Sequence, residues 1–250
     1  MVETVVSETP SSIYTTLEYP LSEDLQRTIL IYGASGTQKT RTAAQFPSPL
    51  FLSCDPGQLG GLASGAEFKP KQIRIESWAQ LQKALPTIEK DAGTEFKTLI
   101  LDSTTYFQKI VMRDILRTTA REIPRYEDWN LCIERIRSIL NQLANLKCNF
   151  VITATEQLLK DEISGKIMGL PNIPGKLAQE LPAGVDVCLH FYVKSGYDAN
   201  GKKKTSYWAS SVPDDMWYGK DRFGILPAEF ELLQPKTFVQ FASLFGGKGA

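Results

Sequence analysis

The chain has 250 residues, 42% of them hydrophobic and 22% charged, which fits a packed globular domain and excludes a disordered chain. Lys and Arg number 28, as do Asp and Glu, so bulk charge announces no nucleic-acid partner and any such surface must be a local patch. No apolar run reaches the roughly 18 residues of a membrane span, and the opening MVETVVSETPSS lacks the features of a secretory leader. Cys54, Cys132, Cys148, Cys188 and the single His190 match no zinc or disulfide spacing, so reduced cysteines in a cytoplasmic protein are expected.

Residues 1–25 are rich in Ser, Thr, Glu and Pro without periodicity and predict a mobile tail or arm. One ordered domain is expected over 26–246, followed by a short tail, 247–250. Apolar runs rich in β-branched residues at 28–32, 50–53, 72–75, 98–101 and 149–154 predict buried strands. A helix is expected at 39–46. Trp78, Leu81, Leu85 and Ile88 recur at helical spacing, as do Trp129, Ile133, Ile136, Leu140 and Leu143 on a long helix ending near Lys147. Strands alternating with helices predict an α/β fold with a mainly parallel central sheet flanked by helices. Residues 158–184 hold three prolines and four glycines and predict a long irregular loop. A β-hairpin extension (187–193 with 205–210) and a terminal helix (235–245) complete the chain, extending one sheet rather than forming a second domain.

The stretch GASGTQKT follows the first strand and opens the first helix. It matches the phosphate-loop pattern G-x-x-x-x-G-K-[ST] except that Gln38 replaces the second glycine. Gly33, Ala34, Ser35, Gly36, Thr37, Gln38, Lys39, Thr40 and Arg41 are therefore candidate nucleotide-binding residues. Backbone N–H groups would cradle the phosphates, Lys39 would reach the β- and γ-phosphates, and Thr40 would face Mg2+. If position 38 needs a positive φ, a side chain there costs on the order of 1 kcal/mol. Asp102 ends the strand TLILDS and is a candidate for the water shell of Mg2+; it could also cap the following helix, but the phosphate loop upstream favours the metal. Ser103 stands where a second acid would activate water, so Asp55, in FLSCDPG, becomes the candidate base, although D-P-G also makes a good turn.

Arg113, Arg117, Arg121 and Arg125 recur every four residues. The first three share a helix face before Pro124 ends the helix, and such a stripe either tracks phosphates or is a solvated face. Lys160, Lys166 and Lys176 lie in the irregular segment, and Lys202, Lys203 and Lys204 at the hairpin tip. Trp208, Trp217 and Tyr218 could stack bases or fill the core.

In order and spacing, GASGTQKT, FLSCDPG, TLILDS, VITATEQ, PNIPGKLAQELP and YGKDRFG resemble the RecA-like ATPases. More narrowly, they resemble the phage-type AAA/RecA-like proteins that include the Sak-type ATPases assisting single-strand annealing. The likeness spans about 28–245. It implies a RecA-like P-loop NTPase core that uses ATP and Mg2+, with Lys39, Thr40, Asp102 and Asp55 in the roles above. Glu156 or Gln157 would sense the γ-phosphate, and Lys220 and Arg222 would complete a neighbouring subunit's site. It further implies a homo-oligomer, ring or filament, acting with recombination or replication proteins on single-stranded DNA in the host cytoplasm of a phage. Lys160, Lys166, Lys176, Arg113 and Arg117 are the candidate DNA contacts. Gln38 departs from the pattern and leaves open a second class: a nucleotide-binding switch or scaffold with little hydrolysis that assembles with a protein partner.

Overall fold

The computed structural model describes residues 26–56, 66–160, 162, 165–197 and 201–233. The expected tails and the expected helix at 235–245 lie outside these described residues.

The first strand, β1 (Thr28–Gly33), runs between β5 (Asn149–Ala154) and β8 (Val187–Tyr197), parallel to both. Beyond β5 come β4 (Thr98–Asp102), β2 (Pro49–Ser53) and β3 (Lys71–Arg74), also parallel. On the other side β9 (Lys203–Ser210) and β11 (Glu229–Glu231) add antiparallel strands, and β10 (Lys220–Asp221) pairs with the start of β8. The expected α/β architecture, with a C-terminal hairpin extending one sheet, is therefore observed.

The central strands are apolar at nearly every position because both faces are covered. Leu30, Tyr32, Leu99, Leu101, Phe150 and Ile152 pack beneath α2 (Trp78–Asp91), α3 (Thr104–Thr118) and α4 (Tyr126–Ala144). Their alternates Ile29, Ile31, Phe51, Ile100 and Val151 pack against the short α1 (Lys39–Ala43) and against Phe230 and Leu232. Each such side chain contributes about 1.5–3 kcal/mol of hydrophobic stabilisation. α2 starts at Ser77 through a capping box: Ser77 Oγ accepts from the Gln80 N–H, and Gln80 Oε1 accepts from the Ser77 N–H.

Three local expectations are corrected. Residues 158–184 are not an irregular loop: β6 (Glu156–Lys160) and β7 (Ile167–Pro171) form an antiparallel hairpin, followed by α5 (Leu177–Gly184). Gly165 at φ +69° precedes β7 and Pro171 ends it, while Gly169 lies within β7 and Pro182 within α5. Helix α3 stops at Thr118 rather than near Pro124, with Ala120 left-handed at φ +51°. Arg121 therefore leaves the stripe, and its guanidinium donates to both carboxylate oxygens of Asp128. The buried face of α4 runs through Cys132, Ile136, Ile139, Leu140 and Leu143, and Trp129 is 43% exposed.

The register sorts the sheet into two edges. Ser53 pairs with Asp102, and Tyr32 pairs with both Ala154 and His190, so the ends of β1, β2, β4 and β5 share the carboxyl edge. Open α/β sheets bind ligands at that edge.

Candidate nucleotide-phosphate site

The loop between β1 and α1 turns on Gly33, where a Cβ would fall 2.0 Å from the Phe191 carbonyl oxygen on β8; only glycine lets the chain pass. Gln38 sits at φ 69°, ψ 19°, the left-handed conformation that a second glycine would adopt without cost. The Lys39 ammonium lies inside the loop and donates to Gly33 O (2.9 Å), Ala34 O (2.6 Å) and Thr37 Oγ1 (3.3 Å). Burial lowers its pKa, while the negative charges of Asp102, Glu156 and Asp55 oppose the shift. Arg41 lines the cavity that opens over this loop and forms an ion pair with Glu67 at 2.6 Å.

Opposite the loop, Thr40 Oγ1 donates to Asp102 Oδ2 at 2.9 Å, and Thr153 Oγ1 donates to Asp102 Oδ1 at 2.5 Å. Asp102 is only 6% exposed. Desolvation raises its pKa most, and the charge of Asp55 adds to the rise; the two hydroxyls and Lys39 oppose it. The helix-cap alternative for Asp102 falls away, because Ser103 occupies the N-cap of α3 and the Asp102 carboxylate is turned to Thr40 and Thr153. Ser103 has a second use: its Oγ donates to Asp55 Oδ1 at 3.2 Å. Asp55 also has a raised pKa, first from burial, with Ser103 and Lys39 opposing.

Lys39, Thr40, Asp55 and Asp102 thus line one cavity of about 450 Å3. Sequence reasoning missed Ser103, Thr153, Thr155 and Tyr106 as parts of this environment. Two threonines at the end of the one apolar strand pattern NFVITAT were the available signal for Thr153 and Thr155.

The remaining candidates are scattered. Glu156, just past the tip of β5, binds His190 Nε2 through Oε2 at 3.0 Å and lines a neighbouring cavity of about 690 Å3 with Ala34, Ser35 and Thr37. Gln157 points elsewhere, with its amide donating to Pro171 O (3.1 Å) and Ile173 O (3.4 Å). Lys220 and Arg222 lie at the amino edge of the sheet, since Lys220 pairs with Cys188 and Asp221 with Val187, at the start of β8. There Lys220 Nζ donates to Ala183 O (2.7 Å) and Arg222 pairs with Asp186 (3.0 Å), so neither reaches the phosphate loop of its own chain.

Arg113 lines a third cavity of about 610 Å3, with Lys109, Trp129 and Leu159. Lys160 follows Leu159, and Lys176 follows Gly175, which also lines that cavity. Lys166 is exposed just before β7. Arg117, 76% exposed, pairs with Asp114 instead.

No helix among the described residues is long and apolar enough to cross a membrane. A family model described as an AAA domain matches residues 25–223, a span that takes in the phosphate loop, both carboxylates and the β6–β7 hairpin. No curated protein matches the chain.

Proposed function

This chain belongs to the AAA-domain family and has a RecA-like P-loop NTPase fold, and from that premise we propose that it binds ATP with Mg2+ and hydrolyses it to ADP and phosphate. The convergence of Lys39, the Thr40–Asp102 pair and Asp55 in one cavity carries this reading. Thr40 and Asp102 suit Mg2+, a hard cation that takes few protein oxygens and fills its other positions with phosphate oxygens and water. The bound ion would supply charge neutralisation on the phosphate oxygens.

The protein's own groups do the rest. Lys39 exchanges its bonds to loop carbonyls for phosphate oxygens. Asp55, held by Ser103 and made more basic by burial, orients the attacking water. Lys39→Ala should weaken ATP binding at least tenfold, about 1.4 kcal/mol, in calorimetry. Asp55→Asn should keep that binding and lower turnover about a hundredfold. Active Asp55→Asn beside inactive Glu156→Gln would reassign the base to Glu156.

The finer reading is a homo-oligomer whose effector is single-stranded DNA, in phage-encoded recombination or replication. Its support is the cavity beside β6–β7, which offers the partly exposed Trp129 for stacking and Lys109 and Arg113 for phosphates, with no carboxylate in its lining. Turnover measured with and without oligonucleotide, across protein concentration, tests it; stimulation by DNA is expected. The second reading, a nucleotide switch or scaffold assembling with a protein partner, is favoured by the strained Gln38. Tight ATP binding with flat, negligible turnover would establish it.

A further inference from the structure

The β6–β7 hairpin forms a two-stranded sheet of its own beside the main sheet, and an isolated bridge joins its Gly169 to Trp217. Leu158 is 59% exposed and Lys160 is exposed, so little of the hairpin's outer half is packed. Its root is held quite differently.

On β6, Glu156 reaches His190 on β8. Because Tyr32 lies in register between Ala154 and His190, this bond passes over the tip of β1, where the phosphate loop begins. His190 is 3% exposed, and its ring stacks on Trp217 with centroids 4.0 Å apart and planes 12° from parallel. The Trp217 ring in turn covers Gly169 of β7 so closely that a Cβ there would lie 2.0 Å from the indole. The Gly169 N–H donates to Met216 O at 2.7 Å. One stacked pair therefore grips both strands of the hairpin, β6 through Glu156 and β7 through Gly169.

The segment bearing Trp217 is itself fixed. Tyr32 Oη donates to Tyr218 O (2.6 Å) and accepts from the Tyr218 N–H (2.9 Å). Asp214 Oδ1 accepts from the N–H groups of Met216 (2.7 Å) and Trp217 (2.6 Å). The charged groups within electrostatic reach of the imidazole are Glu156, Asp214 and Lys39.

We propose that His190 and Trp217 form a two-point clamp that sets the β6–β7 hairpin against the phosphate loop, with His190 the positioning residue for Glu156. The clamp's effect on turnover rests on the ATPase reading; the clamp itself can be measured without nucleotide.

The test is hydrogen exchange along 156–171 in wild type, His190→Ala, His190→Gln and Gly169→Ala. His190→Ala removes the first grip, and Gly169→Ala displaces Trp217 and removes the second while leaving His190 in place. Each should speed exchange at the hairpin root about tenfold, with amides of β1 and β4 unchanged. His190→Gln, which retains an amide donor for Glu156, should restore most of the protection. With ATP, His190→Ala should lower kcat while KM stays within about twofold. Unchanged hairpin exchange in folded variants, or acceleration spread equally through β1 and β4, overturns the clamp. Should His190→Ala fail to fold, Gly169→Ala decides the same question. If wild type binds no ATP, the ATPase reading fails while the exchange measurement still judges the clamp.

Discussion

Gln38 shows what one residue costs a phosphate loop. Its left-handed backbone is the conformation glycine would supply, and the side chain makes it unfavourable by about 1 kcal/mol. Gln38→Gly should therefore raise the melting temperature by about 2–4 °C in calorimetry. ATP affinity should stay equal or increase; a marked loss would show that the amide contacts nucleotide. His190 is the other residue with a sharp expectation. Burial lowers its pKa in the folded chain, against the pull of Glu156. Below about pH 6.5 the unfolded chain takes up a proton that the folded imidazole resists, so stability present at neutral pH is lost as pH falls toward the folded value. Asp55 and Asp102 have raised pKa values and shift stability in the opposite sense. Urea titrations of wild type and His190→Gln at matched pH values cancel that contribution, and the wild-type excess should shrink between pH 7 and 5. A constant difference would mean that His190 keeps its ordinary pKa. Lys39 and Thr40 were legible in the sequence through the phosphate-loop pattern that joins β1 to α1, and Asp55 and Asp102 because each sits at or just past the end of an apolar strand, where the parallel sheet brings such ends together. The Glu156–His190 pair was not, because it depends on β8 lying beside β1 and on a tryptophan 27 residues further on (217 − 190).

Elements buried on both faces announced themselves, and elements half in solvent did not. β1, β4 and β5 read as strands because apolar residues fill every central position. β6 and β7 carry an exposed outer half, and their glycines and prolines suggested a loop, whereas Gly169 lies at the centre of β7 and Pro171 ends it. The arginine stripe failed for a related reason: spacing alone could not show that α3 would end at Thr118 and hand Arg121 to Asp128. What remains of the stripe divides into unlike parts. Arg113 lines the cavity beside the hairpin, whereas Arg117 is turned to Asp114. Under the DNA reading, Arg113→Ala should weaken oligonucleotide binding at least threefold in low salt and flatten the salt dependence by about one counterion. Arg117→Ala should change it less than about twofold, since an exposed, already paired cation adds little. Fluorescence anisotropy across a salt series distinguishes the two, and equal effects would remove the cavity from the DNA-binding surface.

At the scale of the whole molecule, the sheet separates two groups of charge. The phosphate loop, Asp55 and Asp102 occupy the carboxyl edge, and Lys220 and Arg222 occupy the amino edge beside the start of β8. Across that separation the pair has no route to its own nucleotide, so any catalytic use is in trans. A head-to-tail contact, in which the amino edge of one subunit meets the carboxyl edge of the next, is a heterologous interface that builds rings or filaments. In such an assembly Lys220 and Arg222 would face a neighbour's phosphates, where developing charge calls for a cation. Specific activity should then rise with protein concentration. The double variant Lys220→Ala, Arg222→Ala should bind ATP as wild type does and turn over slowly. Its fold should survive, because Arg222 is half-exposed, such pairs near the surface contribute about 1 kcal/mol or less, and Asp186 keeps its bond from the Thr28 N–H. Mixed with Asp55→Asn protein, it should regain part of the activity, since some interfaces then join an intact Asp55 to an intact basic pair. Full activity in a strict monomer, or no recovery in oligomers shown to be mixed, would confine Lys220 and Arg222 to their bonds with Ala183 and Asp186.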